Sequence, residues 1–374
     1  MGRVWDLVVV GAGPAGSAAA LGALTARPRA RVLLLDRADF PRDKPCGDGI
    51  APHALDVLAR LGVHGVVDGY RPVAGLRLAP PAGAPVAGRM ARPAHVVPRR
   101  VLDARLVAAA TARGAVLERR RVRSLVREVG RVLVDGEVAA RAVVGADGAH
   151  SVVRRLVGAG EPGRVALALR GYAPVAADAP DAQVIAFGPG AGPTYAWSFP
   201  VGDGRANVGY GTVLGTGPAP TRQGLLDGLE RLLPGAGAGG RDWRAHHLPL
   251  SSHRPRQPDG PVLLAGDALS LVNPVTGEGI YYAVLSGALA GAAAVRPGDP
   301  GRAYRRSLDR ALGRHLRHTA LAARIVARPR LLAAGLAASG RDGRAFDDLV
   351  ELGLGGGTLT PRVLGGTLRA LVPG

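Results

Sequence analysis

Two short apolar runs near the beginning of the chain are separated by a glycine-rich turn and an alanine-rich stretch. The run Asp6–Val10 predicts a buried strand, and the run Arg31–Leu35, which ends before Asp36, predicts a second one. Ser17–Ala26 lies between them, is rich in alanine, and predicts a helix. A strand, a helix and a second strand in this order are typical of a parallel sheet with helices on its faces.

The middle of the chain has a different pattern, in which strand-like runs follow one another closely. These runs are Val165–Val175, Ala182–Phe187, Thr194–Val201 and Ala206–Val213, and they are separated by Gly, Pro and Asp residues. The turn Gly202–Gly204 between the last two runs is a strong hairpin signal. The spacing predicts an antiparallel sheet, unlike the first part of the chain.

Parallel-sheet and helical patterns return after this block. Pro261–Ala265 predicts an apolar strand, and Gly279–Val295 predicts a long helix of small residues. Residues from Arg302 onward are helical by pattern, with a glycine-rich break at Gly353–Gly357. Because parallel-type segments lie on both sides of the antiparallel block, we expect the domain built on the parallel sheet to be discontinuous in sequence.

The first glycine-rich turn has the spacing of a dinucleotide-binding fingerprint. Gly11, Gly13 and Gly16 form a G-x-G-x-x-G motif after the first strand, and Asp36 follows twenty positions after Gly16. The glycines permit a tight turn, a close approach of the backbone to a pyrophosphate, and close packing of helix on strand. The helix N-terminus would face the phosphates, and Asp36 would accept hydrogen bonds from ribose hydroxyls.

Two later segments carry further candidate cofactor residues. Gly145–Ser151 follows a predicted strand and contains Asp147, and Asp267 follows the strand at residues 261–265. The carboxylate of Asp267 could accept a ribityl or ribose hydroxyl, and the amides of Gly277–Ile280, which open a helix, could stabilise negative charge. Each segment taken alone is better explained as an ordinary turn capped by Asp in so glycine-rich a chain.

Two more motifs make the pattern specific. Phe40–Gly49 reads FPRDKPCGDG, and Pro193–Pro200 reads PTYAWSFP. Together with the glycine fingerprint and the two later segments, these motifs resemble the FAD-binding signature of the para-hydroxybenzoate-hydroxylase-like flavoproteins. Within that group the chain resembles the geranylgeranyl reductase family, over roughly residues 6 to 295.

The resemblance implies an FAD site to which all of these motifs contribute. It implies that Ala15 and Asp36 hold the pyrophosphate and the adenosine ribose, and that Cys46 lies beside the flavin. It also implies a contact of Arg99 from the next helix and a backbone contact of Val122 with adenine. The implied cofactor-binding residues are Gly11, Gly13, Ala15, Gly16, Asp36, Arg37, Cys46, Gly47, Gly49, Arg99, Val122, Asp147, Asp267, Gly277, Gly279 and Ile280.

The patterns and the resemblance together predict an α/β fold. We expect a discontinuous Rossmann-type FAD-binding domain, an inserted antiparallel β-sheet domain for the substrate, and a helical C-terminal region. The predicted bounds are residues 1–75, 95–160 and 255–298 for the FAD-binding domain, 76–94 and 161–254 for the substrate domain, and 299–374 for the C-terminal region.

Three aromatic residues in the Pro193–Pro200 motif are the candidates on the substrate side. Tyr195, Trp197 and Phe199 alternate, so on a strand they share one face. They would form either one wall of an apolar substrate cavity above the flavin or the packed core of the antiparallel sheet. As catalytic candidates, Tyr195 or Cys46 would relay a proton, and the ring of Trp197 would stabilise transient positive charge.

By resemblance, the expected activity is reduction of carbon–carbon double bonds in a prenyl or similarly apolar substrate by hydride transfer from reduced FAD. NAD(P)H and ferredoxin are the candidate electron donors. The alternative within the same fold is a monooxygenase that acts on a small specialised-metabolism intermediate. From a different class, a non-catalytic lipid or nucleic-acid binder on the same fold would yield a colourless protein with salt-dependent binding.

The formal charge of +19 raises the question of an anionic partner. Of the 48 basic residues only Lys44 is lysine, which indicates a bias of composition across the chain. The short arginine clusters have no interleaved aromatic residues to stack bases, so we expect no specific nucleic-acid partner. The basic, leucine-rich C-terminal helices are compatible with peripheral contact to a membrane surface.

Cys46 is the single cysteine, which excludes an intramolecular disulfide and a multi-cysteine metal site. His246, His247 and His253 lack metal-ligand spacing, so we expect no metal and interpret these histidines as surface or structural residues. The apolar run at the beginning of the chain does not have the form of a signal peptide. We expect a cytoplasmic protein, and the pattern leaves its oligomeric state open.

Overall fold

The computed structural model describes residues 4–175, 181–189, 193–215 and 217–371. In chain order the strands are β1 (Trp5–Val10), β2 (Val32–Asp36), β3 (Gly49–Ile50), β4 (Pro72–Ala79), β5 (Val86–Val96), β6 (Val116–Arg119), β7 (Leu125–Glu128), β8 (Arg131–Val134), β9 (Val138–Gly145), β10 (Val165–Pro174), β11 (Ala182–Phe187), β12 (Tyr195–Pro200), β13 (Arg205–Val213), β14 (Arg241–Pro249) and β15 (Val262–Leu264). The helices are α1 (Pro14–Ala26), α2 (Pro52–Arg60), α3 (Arg99–Ala112), α4 (Val152–Leu156), α5 (Arg222–Leu232), α6 (Ile280–Ala294), α7 (Pro300–Val326), α8 (Pro329–Arg341), α9 (Gly343–Leu354) and α10 (Pro361–Leu371).

The first sheet is built around the strand, helix and strand predicted near the beginning of the chain. Its order is β6-β2-β1-β9-β8-β7, and β15 pairs with the end of β9 that β8 leaves free. β1 pairs in parallel with β2 and β9, and β15 pairs in parallel with β9, so segments from before and after the middle block join one sheet. The expected α/β architecture, discontinuous in sequence, is confirmed.

Helices α1 and α6 pack on each other at the distance of backbone contact. A Cβ atom on Gly287 would overlap the carbonyl of Ala15, and one on Gly291 would overlap the carbonyl of Ala19. Small residues are therefore required where these two helices meet, because any larger side chain would hold their backbones apart. This contact explains why both helices consist mainly of Ala and Gly at their buried faces.

The second sheet has the order β14-β10-β13-β12-β11-β4-β5-β3. The predicted hairpin at Gly202–Gly204 joins β12 and β13, which pair antiparallel. The sheet is not antiparallel throughout, however, since β11 pairs in parallel with β4. This departure was hidden in the sequence because β4 lies about a hundred residues before β11, and only the long-range register brings the two together.

The C-terminal helices cover one face of the second sheet. The Phe346 ring of α9 lies against Gly88 on β5, where an added Cβ would overlap the ring. Leu332 and Leu336 of α8 join Leu76 of β4 and Ile185 of β11 in one buried cluster. The sequence pattern predicted these helices but not their packing on the second sheet. We call α8, α9 and α10 together the roof of this sheet. In the described part of the chain, no helix is both long and apolar enough to cross a bilayer.

Candidate active site

A continuous cavity of about 1140 Å³ extends between the two sheets and under the C-terminal helices. Every cofactor-binding and catalytic residue predicted from the sequence lines this cavity, except Gly16. Gly16 lies behind the wall, where a Cβ would overlap the carbonyl oxygen of Gly11, so this glycine is needed for the packing of α1 on β1. The sequence motifs, which are spread over some 270 positions, therefore converge on one place.

One end of the cavity is formed by the glycine turn between β1 and α1. Gly11 has a φ of +97°, which disfavours any other residue there. The Ala12 amide donates a hydrogen bond to Asp36 Oδ2 at 2.9 Å, and the Ala38 amide donates to Asp36 Oδ1 at 3.0 Å. The carboxylate of Asp36 thus ties the turn to the end of β2 and lies on the cavity wall.

Two arginine side chains stand over this turn. The guanidinium of Arg99 is buried and donates to both carboxylate oxygens of Asp103, at 2.7 and 2.8 Å. Arg42 forms an ion pair with Asp103 at 3.1 Å. The position that a Cβ of Gly13 would occupy is 3.4 Å from Arg42 Nη2 and 3.7 Å from Arg99 Nη2. A bare glycine backbone below two guanidinium groups suits a pyrophosphate. Arg42 lies in the Phe40–Gly49 motif but was not among the residues implied to bind the cofactor.

The two acidic residues of the later segments have different surroundings. Asp147 binds the beginning of α4, where its Oδ2 accepts from the Val152 amide at 2.7 Å. Its carboxylate therefore acts as the turn cap that the sequence left open as an alternative. Asp267 lies 3.2 Å from Lys44 Nζ. Burial raises the pKa of Asp267, but the Lys44 cation outweighs it, so the pKa lies below its usual value and the group stays ionised.

His246 also lines this part of the cavity, beside Lys44 and Asp267. Burial and the Lys44 cation lower the pKa of the His246 ring, so it is neutral at neutral pH. His246 is therefore a half-buried residue of the cavity wall, a position that its sequence pattern did not predict. Its place on the cavity wall depends on the pairing of β14 with β10, which is a long-range contact.

The turn that opens α6 brings a carboxyl group into the centre of the site. Gly277 has a φ of +72°, and Gly279 precedes the first residue of the helix. Between them Glu278 accepts a hydrogen bond from the Tyr281 amide at 2.7 Å through Oε1 and lines the cavity. Burial raises the pKa of Glu278 to about 7. The sequence analysis named the flanking glycines but missed this residue, since only burial gives its carboxyl an unusual pKa.

The loop that contains Cys46 is held from below by a buried polar network. Asn207 Nδ2 donates to the Cys46 carbonyl and to Asp48 Oδ2, both at 2.8 Å. Asn207 Oδ1 accepts from Trp197 Nε1 at 2.8 Å. The Tyr172 hydroxyl donates to Asp48 Oδ2 as well. Burial raises the pKa of Asp48 to about 6, although these hydrogen bonds lower it. One amide therefore positions both the cysteine loop and the indole.

The aromatic residues of β12 lie on one face, as their alternation predicted. The ring centroids of Tyr195 and Trp197 are 6.0 Å apart, and those of Trp197 and Phe199 are 6.5 Å apart. The indole of Trp197 lies over Gly209 of β13, where an added Cβ would overlap it. The Tyr195 hydroxyl donates to the Thr276 carbonyl, which joins this wall to the turn before α6. The three rings therefore pack together and also line the cavity.

Beyond the aromatic wall the cavity continues as an apolar arm between the second sheet and the C-terminal helices. We use this name for the part lined by Leu76, Leu78, Ile185, Phe187, Leu331, Leu332, Leu336, Leu349, Val350, Leu352, Val363, Leu364 and Leu368. Leu, Ile and Val dominate its wall, which is therefore suited to a long aliphatic ligand. The helices after Arg302, which matched no motif, supply much of this wall.

Comparison with known proteins gives a consistent result. A family model described as an FAD binding domain matches residues 5–191. The chain is 34% identical over 336 residues to a menaquinone reductase of Mycolicibacterium smegmatis, with 76% of this chain and 75% of that protein covered. It is 34% identical over 313 residues to digeranylgeranylglycerophospholipid reductase 1 of Methanopyrus kandleri, with 78% and 80% covered.

Among solved structures, a geranylgeranyl bacteriochlorophyll reductase-like protein from Thermoplasma acidophilum has the same fold. Its TM-score is 0.77 at 22% sequence identity, and the match covers 99% of this chain and 96% of that chain. The match includes the C-terminal helices, so the roof over the second sheet belongs to the shared architecture.

The Asn207 network gives a prediction about stability. Asn207→Leu keeps the side-chain volume but removes the hydrogen bonds to Trp197, Cys46 and Asp48. We expect the free energy of unfolding to fall by about 2 kcal/mol at about pH 8, where Asp48 is ionised and most needs its donors. At about pH 5 the loss should be smaller, because the folded-state pKa of Asp48 is about 6 and the carboxyl is then protonated. Denaturant titration at both pH values measures the difference.

The sign follows from the raised pKa. Asp48 contributes most to stability when it is protonated, and that contribution is lost as the pH rises from 3.8 through about 6. Gln223→Leu, which removes an exposed amide on α5, is the matched control and should change little at either pH. An equal loss for Asn207→Leu at both pH values would contradict the assigned network.

Proposed function

Because the chain belongs to the FAD-dependent geranylgeranyl reductase family of oxidoreductases, we propose that it reduces carbon–carbon double bonds in a prenyl chain. The main support for this proposal is the apolar arm, which extends from the Cys46 loop between the second sheet and α8–α10. A cavity arm lined by aliphatic side chains from two strands and three helices suits a hydrocarbon chain better than a small polar aromatic substrate.

The residues around the glycine turn fit FAD. Gly11 and Gly13 leave the backbone bare, Arg42 and Arg99 would supply positive charge for the pyrophosphate, and Asp36 would accept from the ribose hydroxyls. When bound and reduced, FAD supplies a hydride. Either NAD(P)H or a ferredoxin would serve as the electron donor.

The chain's own residues then orient the substrate and keep water away from it. Burial raises the pKa of the Cys46 thiol, so the group stays protonated and is a poor nucleophile, which disfavours covalent catalysis. Burial likewise raises the pKa of Tyr195 well above its ordinary value. Trp197 is held by Asn207 with its ring on the cavity wall, where its π face would stabilise positive charge that develops on the alkene.

Saturation of a double bond needs a proton in addition to a hydride. Cys46 and Tyr195 are weak acids here, because burial raises the pKa of both. Glu278 lines the same cavity and has a pKa of about 7, which matches the requirement of a general acid near neutral pH. Its helix-capping hydrogen bond to the Tyr281 amide fixes the carboxyl in place. We therefore assign the proton transfer to Glu278 in preference to Cys46 or Tyr195.

An anaerobic experiment tests the proposed reaction. The FAD-loaded protein is reduced with dithionite without air, and a polyprenyl alcohol is then added while the visible flavin absorbance is followed. We expect the absorbance of oxidised flavin to return with the alkene alone, together with a product that is two hydrogen atoms heavier. Reoxidation by oxygen but by no prenyl compound would support the monooxygenase instead. A protein that cannot be loaded with FAD would remove both functions.

Glu278→Gln tests the proton donor. We expect the rate of flavin reoxidation by the prenyl alcohol to fall by about 10²-fold, with FAD content and the rate of flavin reduction unchanged. In the unmodified protein this rate should decline as the pH rises through about 7, because Glu278 then loses its proton. The variant should lack this decline, whereas Glu128→Gln on the exposed strand β7 should retain it. The same pH profile in Glu278→Gln would rule out the assignment.

We also propose that helix α10 contacts a membrane surface. Leu364, Leu368 and Leu371 are 39%, 65% and 38% exposed and follow one another at helical spacing on one face. Leu364 and Leu368 also line the apolar arm, so the exposed stripe lies at its mouth. Arg328 and Arg330 are exposed at the junction of α7 and α8, where they would attract anionic lipid. A prenyl lipid would then reach the arm without crossing water.

Vesicle sedimentation tests this contact. The double variant Leu364→Ser, Leu368→Ser should bind vesicles that contain anionic lipid about tenfold more weakly than the unmodified protein, because two apolar side chains no longer enter the interface. Val129→Ser, which changes an exposed apolar residue between β7 and β8, is the matched control and should bind normally. Unchanged binding of the double variant would exclude α10 as the contact.

A further inference from the structure

A single carboxamide interrupts the aliphatic wall of the apolar arm on β11. Gln183, Ile185 and Phe187 alternate along this strand and all line the cavity. Gln183 is only 3% exposed, and its register partner on β4 is Leu76. In the described part of the chain, Gln183 Nε2 has no hydrogen-bond partner. An amide buried without a partner costs free energy, so the fold carries this group for a reason other than packing.

A prenyl chain presents a special problem of alignment. Its isoprene units repeat, so a uniformly aliphatic arm would bind the chain in several registers of nearly equal free energy. A fixed polar contact removes that degeneracy, because only one register satisfies the buried group. Gln183 is neutral, and its neighbours on the sheet include Leu76 and Ile185, which disfavours a charged ligand such as a diphosphate at this point.

On the basis of the proposed function, we propose that Gln183 is a substrate subsite that hydrogen-bonds an uncharged oxygen attached to the prenyl chain, as in a carbonyl, ether or hydroxyl group. A rotation of 180° about the last side-chain bond exchanges the amide nitrogen and oxygen, so the residue donates to a carbonyl or ether and both donates to and accepts from a hydroxyl. This contact sets which double bond reaches the Cys46 loop and Glu278. The substrate is therefore a neutral prenyl lipid with a polar head group.

Gln183→Met, an apolar replacement of similar shape, tests the subsite. Binding to the FAD-loaded protein is measured for a polyprenyl alcohol, a prenylated quinone and a prenyl hydrocarbon of the same chain length. We expect the variant to bind the alcohol and the quinone about tenfold more weakly and the hydrocarbon equally well. Loss for only one of the two oxygenated ligands would identify which head group the subsite takes. Gln223→Met, the same replacement at an exposed glutamine on α5 away from the cavity, should change no affinity by more than about twofold.

Two more measurements separate a recognition role from a structural one. The thermal stability of Gln183→Met without ligand should be equal or higher, because an unpaired buried amide has been removed. Products analysed by mass spectrometry and NMR should show reduction spread over several double bonds, where the unmodified protein reduces a defined set. A variant with unchanged affinities and product pattern would overturn the subsite. Failure of every prenyl compound to reoxidise the flavin would instead refute the proposed function, and the binding data would still report on Gln183.

Discussion

The buried carboxylate of Asp48 holds the two halves of the site together. It has no exposed surface and a left-handed φ of +60°, and it accepts hydrogen bonds from the Arg99 amide, the Tyr172 hydroxyl and the Asn207 amide. These three donors belong to α3, β10 and β13, so one side chain connects α3 with two strands of the second sheet. The position of the Cys46 loop between the sheets, and through Asn207 the orientation of Trp197, depend on these bonds. These bonds require that the Asp48 carboxyl be buried away from water. Burial raises its pKa, so the group is a weaker acid than an exposed aspartate.

The structure explains part of the high content of glycine, alanine and arginine in the chain. Glycine and alanine are required where α1 and α6 touch backbone to backbone, and where Gly209 makes room for the indole of Trp197. Some arginines are structural as well, since Arg154 is 1% exposed and donates to the Ala149 carbonyl at 2.9 Å. A guanidinium suits such a position because its several donors satisfy more than one carbonyl. The high positive charge is thus divided between buried hydrogen bonding, the glycine-turn end of the cavity and the exposed surface.

The cavity joins two environments of opposite character. Its glycine-turn end contains carboxylates together with guanidinium groups, and the guanidinium groups suit an anionic cofactor. The apolar arm is instead formed by apolar side chains from two strands and three helices. Glu278 and Asp48 both line this cavity, and the pKa of each carboxyl is raised. Burial without a fully compensating cation is what raises their pKa to neutral or slightly acidic values.

The amino-acid sequence was sufficient to predict those helices, strands and turns whose patterns involve only neighbouring residues. The strand, turn, helix and strand near the beginning of the chain were indicated by Gly11, Gly13 and Gly16 together with Asp36. A glycine turn and the period of a strand are properties of neighbouring residues, so they can be recognised in the sequence. The face shared by Tyr195 and Trp197 followed from alternation, since side chains on a strand repeat every two residues. Only the folded chain shows the rest, including the parallel pairing of β4 with β11, the roof of α8–α10, and the positions of Asn207, Glu278 and Gln183. Those features depend on contacts between distant segments and on the burial that results, and no local period in the chain encodes either one.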